Sequence, residues 1–268
     1  MNREEILTKY NEEEKIFVAK ILDKIKLAKT KNKIVNTDFL DMYKQKIAIN
    51  ILNIQKEKDY KLFKPCEEAD KAILIVYPEK YEDLFTSQKF DFGSIVSVIR
   101  VTLPNMLKGE YSHKDYLSGI MKLGIVREKI GDIFVFEDGA DIIVLNEIKK
   151  YILDNLGSLT RFSKSNIEEI SLTELRKPNI KREEIRITVS ALRLDCIVSE
   201  MANMSRTSAS DIISQQRVFV NYEMEVRNSK EIKEQDVIVI RGKGKFRIKE
   251  ILGETKKGKT VVIIEHYR

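Results

Sequence analysis

The amino-acid sequence predicts an α+β protein with a helical N-terminal domain, a central α/β sandwich and a C-terminal domain of two short helices on a small β-sheet. The residues before Pro65, the first proline, follow helical periodicity and contain no glycine. β-Branched runs then alternate with helical patterns, and the last third ends in several strand-like runs. We therefore predict domains at residues 1–68, 69–160 and 189–268, with an extended linker at residues 161–188.

The N-terminal domain is predicted from two amphipathic helices. Phe17, Ile21 and Ile25 recur at every fourth residue, which places them on one helix face. A second helix is predicted after Thr37, interpreted as its N-cap, with Ile47 on its apolar face. The lysines of both helices are predicted to form a solvated face, with nucleic-acid contact as the alternative.

The central domain is predicted from strands and helices that follow one another closely. Ser112 and Asp115 stand at the positions of a capping box, and Gly124 is expected to end the helix that they begin. Asp138 and Gly139 are the predicted turn of a β-hairpin. The predicted strands are residues 72–78 and 94–102, the helices 79–86, 112–124 and 147–157, and the hairpin 132–146.

The C-terminal domain is predicted from two helices followed by strands. The first helix begins near Arg193, and Ser205 is the predicted N-cap of the second, which buries Ala209 and Ile213. Four polar side chains share the opposite face of that helix: Arg206, Ser210, Ser214 and Arg217. Short strands are predicted at VFVN, DVIVIRG, KFRIKEIL and TVVIIEHY.

Composition and charge exclude several classes of protein. The net charge is +6, and residues 190–268 carry 15 basic and 11 acidic side chains, which favours a nucleic acid or an acidic surface as partner. The two cysteines and two histidines have no metal-ligand spacing, so we expect no metal and no cofactor. The charged N-terminus and the lack of a long apolar run predict a cytoplasmic protein without a membrane partner.

Two motifs suggest catalysis, and their contexts argue against it. GETKKGKT at residues 253–260 matches a phosphate-binding loop, but a β-branched run follows it where a helix would be needed. We predict a hairpin loop there and no small-molecule substrate. Asp138 and Asp141 are interpreted as solvated turn carboxylates, and neither histidine accompanies a candidate nucleophile, so we predict no enzymatic activity.

The stretch RGKGKFRIKE at residues 241–250 places a cation at every second position: Arg241, Lys243, Lys245, Arg247 and Lys249. In an extended chain, alternate side chains point to the same side, so the five cations are expected to share one face. Gly242 and Gly244 can bend the stretch and leave its backbone open to close approach. This ribbon is the strongest sequence signal for a polyanionic partner.

LRLDCIVSEMANMSRTSASDIISQQRVFVN, followed by DVIVIRGKGKF, resembles the αL RNA-binding module of the fourth small-subunit ribosomal protein. The sequence departs from that family at Gln216 and Tyr222, where many members have glycine. The resemblance implies that RNA lies across the second helix and the adjoining loops. The RNA contacts that this module implies are Arg193, Ser205, Arg206, Thr207, Ser210, Arg217, Asn221, Arg241, Lys243, Lys245 and Arg247.

YSHKDYLSGIMKLGIVREKIGDIFVF at residues 111–136 resembles the signature of the YlmH family of ribosome-associated proteins. The central domain of that family resembles an RNA-recognition (RRM-like) fold. The polar candidates for RNA or ribosome contact around the signature are His113, Lys114, Arg127 and Lys129. Phe134 and Phe136 alternate on a strand and are expected to be core residues more than a stacking platform.

Together the two resemblances imply a non-enzymatic, monomeric factor that binds rRNA and tRNA on the large ribosomal subunit during rescue and quality control of stalled translation. One alternative is an RNA-modifying enzyme, because αL modules often accompany pseudouridine synthases. The only R-L-D sequence, residues 193–195, lies inside the RNA-binding module and argues against that alternative. A second alternative is a general rRNA- or tRNA-binding assembly factor, which would have the same sequence features as a factor for stalled translation.

Overall fold

The protein consists of two compact units, Met1–Pro178 and Asn179–Arg268. Its computed structural model describes residues 2–178, 182–221, 223–255 and 258–267. Helices and antiparallel sheets occur in both units, which confirms the α+β prediction. Across these described ranges, no helix is both long enough and apolar enough to cross a membrane.

The first unit begins with helices packed on a small antiparallel sheet. Its first six elements are α1 (Arg3–Leu7), α2 (Glu12–Lys31), β1 (Val35–Leu40), α3 (Met42–Ile54), β2 (Tyr60–Phe63) and β3 (Ala72–Val76). The sheet has the order β1-β3-β2. The N-terminal region is therefore not purely helical as predicted, and the strand expected to open the central domain is the middle strand of this first sheet.

Thr37 was predicted as a helix N-cap, and this prediction is wrong. Thr37 is buried within β1, where its hydroxyl oxygen lies 3.0 Å from the Leu74 backbone N–H that donates to it. The true N-cap of α3 is Asp41, whose carboxylate accepts the Lys44 N–H at 2.8 Å. A threonine or an aspartate can cap a helix, and β-branched Thr37 also suits a strand, so local sequence did not separate the two.

The rest of the first unit is built around a second antiparallel sheet. Its elements are α4 (Glu82–Thr86), β4 (Val96–Thr102), α5 (His113–Lys122), β5 (Ile130–Phe136), β6 (Gly139–Leu145), α6 (Asn146–Asn155) and β7 (Asn166–Ile170). The strand order is β5-β6-β4-β7. β5 and β6 form the predicted hairpin, with Phe136 opposite Gly139.

The second sheet is buried on both faces. One face, including Ile99 and Ile142, packs in a core with Ile120 of α5 and Ile152 of α6. The other face, including Val98, Ile143 and Phe134, belongs to a core that also contains side chains of the first sheet: Phe39, Ile73 and Ile75. Burial on both faces accounts for the consecutive apolar residues at 98–99 in β4 and 142–145 in β6.

Asp141 is not the solvated turn residue that we expected. It lies in β6 and is completely buried, and its carboxylate accepts hydrogen bonds from Arg100 Nε and Arg176 Nη2, each at 2.8 Å. Burial alone would raise the pKa of Asp141, but these guanidinium groups outweigh that effect and lower the pKa. Residues 161–188, expected to be a linker, contain β7 and the Arg176 contact, so much of this stretch is part of the first unit.

The second unit has two helices on one face of a six-stranded antiparallel sheet. Its elements are β8 (Arg182–Val189), α7 (Leu194–Met201), α8 (Arg206–Ser214), β9 (Val218–Val220), β10 (Glu223–Met224), β11 (Val237–Ile240), β12 (Gly244–Glu254) and β13 (Thr260–Tyr267). The order is β10-β9-β11-β12-β13-β8. Glu254 pairs with Thr260, so the false phosphate-loop motif joins the strands of a hairpin, with residues 256–257 outside the described residues.

The helices of the second unit cover only the inner face of its sheet. Ile238, Phe246 and Ile264 point inward and share a core with Ile197 of α7 and Ile213 of α8. Since strand side chains alternate, the residues between these positions project from the opposite, outer face. This division decides where the candidate RNA contacts lie.

Candidate nucleic-acid interface

The N-terminus of α8 presents hydroxyl groups to solvent. Ala209 and Ile213 anchor the helix in the core, and the residues of its first turn, Ser205 to Ser208, are exposed. The Ser205 hydroxyl accepts the Ser208 N–H at 3.1 Å, so Ser205 caps the helix as predicted. Thr207 lies on this exposed turn, and Ser210 is half-buried one turn further on. Phosphate oxygens bind well to hydroxyls at the positive end of a helix dipole.

Two candidate arginines are brought together by one buried carboxylate. Asp195 accepts from Arg193 Nε at 3.1 Å and from Arg206 Nη2 at 2.6 Å. The carboxylate is buried while both guanidinium groups remain about half exposed. We call these three residues the Asp195 cluster. It carries one net positive charge, and it holds two guanidinium groups, each with several N–H donors, beside the first turn of α8.

Asp195 is ionised at any physiological pH. Burial alone would raise its pKa, but the hydrogen bonds from Arg193 and Arg206 outweigh burial and lower the pKa to about 2. Arg206 uses only one of its donors here, so the carboxylate orients the guanidinium and leaves other N–H groups available to a phosphate.

Arg217 lies at the other end of α8, beside the turn that joins β11 and β12. Its Nη2 donates to the Arg241 carbonyl oxygen at 3.2 Å, and Arg217, Arg241 and Lys243 are all exposed. A helix of this length extends about 13 Å. Arg217 and the turn therefore form a second basic group, separated from the Asp195 cluster by the length of α8.

Asn221 was predicted to contact RNA, and its side chain is engaged within the fold. Its amide nitrogen donates to Asp236 at 2.7 Å, and its amide oxygen accepts the Val237 N–H at 2.9 Å. The residue has a φ of 50°, a left-handed conformation that asparagine tolerates better than most residues. Gln216, which departs from the αL pattern, adopts a φ of 59° in place of glycine, and Tyr222 lies outside the described residues.

The five cations of RGKGKFRIKE do not form one ribbon beside α8. Gly242 and Gly244, with φ values of 82° and 122°, bend the chain at the β11–β12 turn. Lys245, Arg247 and Lys249 follow in β12 on the outer face, because the intervening Phe246 and Ile248 are buried against the helices. The expected single patch is therefore divided, and the sheet separates these three cations from the Asp195 cluster.

Two cations of the outer face pair with acidic residues of the same face. Arg247 binds Glu265 with its Nη2 2.8 Å from the carboxylate, and Lys249 binds Glu184. Lys245 Nζ lies 5.1 Å from the centre of the Tyr267 ring. Pairing reduces the contribution that Lys249 and Arg247, one of the predicted contacts, can make to anion binding.

The candidates around the central signature differ in their surroundings. His113 and Lys114 lie in the first turn of α5, and the Lys114 side chain is exposed. Lys129 donates to Asp38 at 3.0 Å and also binds Glu147, so it links elements of the first unit. Sequence could not reveal these partners because Asp38 lies 91 residues away.

Lys71 lies near His113 and Arg127, and sequence analysis did not single it out. Lys71 donates to the Ile130 carbonyl oxygen at 2.6 Å, and burial and the charge of Arg127 lower its pKa to about 8. Partial burial and the same two cations lower the pKa of His113. Arg127 Nη1 is buried and has no hydrogen-bond partner among the described residues.

Comparison with known proteins identifies the chain's relatives. Residues 87–174 match the sequence model of a family described as a putative RNA-binding domain in YlmH. Over 264 residues, the chain is 25% identical to the ribosome-associated protein quality control protein P2 of Bacillus subtilis (strain 168). The chain is therefore similar to the YlmH family in residues 87–174 and to a ribosome-associated protein over nearly its whole length.

The match to the Bacillus subtilis protein covers 98% of this chain and 99% of that protein, so the similarity extends through both compact units. Among solved structures, the chain is similar to the cell division protein ylmH from Streptococcus pneumoniae, with a TM-score of 0.47 and 18% identity. That match covers 62% of this chain and 97% of the other.

Proposed function

We propose that the protein is a non-enzymatic, ribosome-associated RNA-binding factor that acts in the cytoplasm in the quality control of stalled translation. In this proposal it binds as a monomer to rRNA and tRNA on the large subunit. The second unit acts as an αL-type RNA-binding module, and the central part of the first unit acts as an RRM-like domain. The family match and the relative's name, a ribosome-associated quality control protein, support this role.

One observation carries the proposal: the Asp195 cluster lies beside the exposed, serine-capped first turn of α8. Arg193 and Arg206 offer oriented guanidinium groups, and Ser205 and Thr207 offer hydroxyls. This combination suits the sugar-phosphate surface of structured RNA, which proteins recognise mainly by shape and phosphate contacts. Arg217, Arg241 and Lys243 extend the basic surface beyond the other end of α8.

The decisive measurement is retention of the protein on purified large subunits that carry peptidyl-tRNA. Arg206→Glu should lower the affinity by at least about tenfold, because it removes a charge-assisted contact and adds repulsion. Lys26→Glu changes the charge equally on an exposed position of α2, and it should leave the affinity within about twofold. Equal losses in both variants would contradict a binding site at the Asp195 cluster.

Salt dependence provides a second criterion. Binding of the unaltered protein should weaken steeply as salt rises, because phosphate contacts release counterions. Arg206→Glu should reduce the slope of log affinity against log salt, whereas Lys26→Glu should not. Failure of the unaltered protein to bind the subunits at low salt would refute the proposal. Sequencing of cross-linked RNA would then distinguish a stalling factor from a general assembly factor.

A further inference from the structure

The outer face of the six-stranded sheet carries an aromatic and basic row that crosses five strands. Phe219 of β9 pairs with Val239 of β11, which pairs with Lys245 of β12. Lys245 pairs with Tyr267 of β13, and Tyr267 pairs with Arg182 of β8. Residues directly opposite one another in antiparallel strands share a face. We call these five residues the aromatic row.

Each aromatic ring of the row is flanked by cations. The Arg241 guanidinium lies 4.9 Å from the centre of the Phe219 ring. The Tyr267 ring has Lys245 Nζ at 5.1 Å and the Arg182 guanidinium at 5.4 Å. These distances are within the range of cation–π attraction. Both rings are half-buried, so part of each ring is open to solvent.

The charge along this end of the sheet is positive. The described residues of the row and its flank include three cations and no carboxylate: Arg182, Arg241 and Lys245. Acidic residues of the outer face lie in the adjacent pairing row, where Glu265 and Glu184 are opposite each other. Glu265 and Glu184 bind Arg247 and Lys249. The row next to them brings three cations together with the two rings: Arg182, Arg241 and Lys245.

We propose that the aromatic row is a second RNA-contact surface, on which unpaired nucleotides stack against Phe219–Arg241 and against Tyr267. The inference rests on the proposed function, since it assumes that the protein binds RNA. Three strand spacings of ~4.8 Å place the two aromatic positions about 14 Å apart. That separation suits two nucleotides of one single-stranded segment that are not adjacent, while the cations bind the phosphates between them.

This surface differs in chemistry from the helix side of the unit. The Asp195 cluster and the first turn of α8 offer guanidinium groups and hydroxyls without an aromatic ring, which suits the backbone of folded RNA. The aromatic row adds ring faces, which bind bases of any sequence when these are unstacked. Because the sheet lies between the two surfaces, one molecule can bind a folded RNA element on one side and a single-stranded segment on the other.

Cross-linking on the unaltered protein tests the proposal without any substitution. A short oligouridylate containing 4-thiouridine, and large-subunit rRNA carrying the same base, would be irradiated with the full chain and the linked peptides identified. Cross-links at Phe219 or Tyr267 are expected. Cross-links confined to residues 193–217 would overturn the second surface while leaving the proposed function intact. Cross-links to a ribosomal protein alone would also overturn it, by identifying a protein partner.

Substitution of the rings tests whether stacking contributes to affinity. Phe219→Leu and Tyr267→Leu should each weaken oligouridylate binding roughly five- to hundredfold, with an unchanged salt slope because no charge is lost. Tyr267→Trp should retain binding, since a larger ring still stacks. Tyr151→Leu, at an exposed tyrosine of α6, is the matched control and should bind normally. Circular dichroism establishes that each variant is folded.

The outcomes separate the two proposals. If Tyr267→Leu and Phe219→Leu bind oligouridylate as well as the control while Arg206→Glu loses rRNA binding, the aromatic row is refuted and the proposed function stands. If the unaltered protein binds neither rRNA nor oligouridylate, the proposed function itself fails.

Discussion

Replacing Asp195 with asparagine tests how one buried carboxylate stabilises the helix side of the second unit. The change removes the negative charge that binds Arg193 and Arg206 but keeps the size of the side chain. The pKa of Asp195 is lowered from 3.8 to about 2. At about 1.4 kcal/mol for each pKa unit, the ionised carboxylate contributes about 2 kcal/mol to stability at neutral pH.

The pH dependence follows from the direction of this shift. Because the folded-state pKa is below the unfolded value, the contribution is fully present above about pH 4 and is lost as the pH falls towards 2. Asp195→Asn should therefore be less stable than the unaltered protein by about 2 kcal/mol at neutral pH. The difference should shrink progressively below pH 4.

Native-state hydrogen exchange of the α7 and α8 amides is the appropriate assay, since a chain of two compact units need not unfold in one step. Asp211→Asn, at an exposed position of α8, is the matched control and should change the exchange free energies by less than about 0.5 kcal/mol. A loss for Asp195→Asn that stays constant between neutral pH and pH 2 would refute the electrostatic explanation.

Two further substitutions test the packing of the first unit. Asp141→Asn should destabilise it by about 3 kcal/mol in urea unfolding, because Arg100 and Arg176 lose a fully buried ionic partner; the exposed Asp154→Asn should change little. Gly119→Ala should cost about 1–2 kcal/mol, because a new Cβ would lie 2.4 Å from the ring of the fully buried Phe162. Gly157→Ala, where the nearest atom would be 3.6 Å away, is its control, and equal losses at both glycines would contradict the packing argument.

Local patterns in the sequence predicted individual elements better than their partners. The four-residue spacing of Phe17, Ile21 and Ile25 predicted α2, and the Ser205 cap predicted α8, because both signals are local. The sheet to which β3 belongs depends on pairing with β1 and β2, and no local pattern specifies that choice. The same limit led us to treat Asp141 as solvated, since its partner Arg176 is 35 residues away.

In the candidate interface, too, the sequence predicted local features better than the spatial arrangement of the elements. Alternation correctly predicted that Lys245, Arg247 and Lys249 share a face of β12. It could not predict that the helices would cover the opposite face, because that depends on which side of the sheet buries Phe246 and Ile248. The aromatic row was missed for a related reason: Phe219 and Tyr267 are 48 residues apart in sequence and come together only through strand order.

The second sheet of the first unit is buried on both faces, and this limits how the chain can be shortened. A fragment restricted to residues 87–174, the stretch matched by the family model, would lose Phe39, Ile73 and Ile75. Val98, Ile143 and Phe134 would then be exposed to water, and such an apolar surface promotes aggregation. The stretch matched by the family model therefore cannot cover its own sheet, because residues that precede it bury one of the two faces.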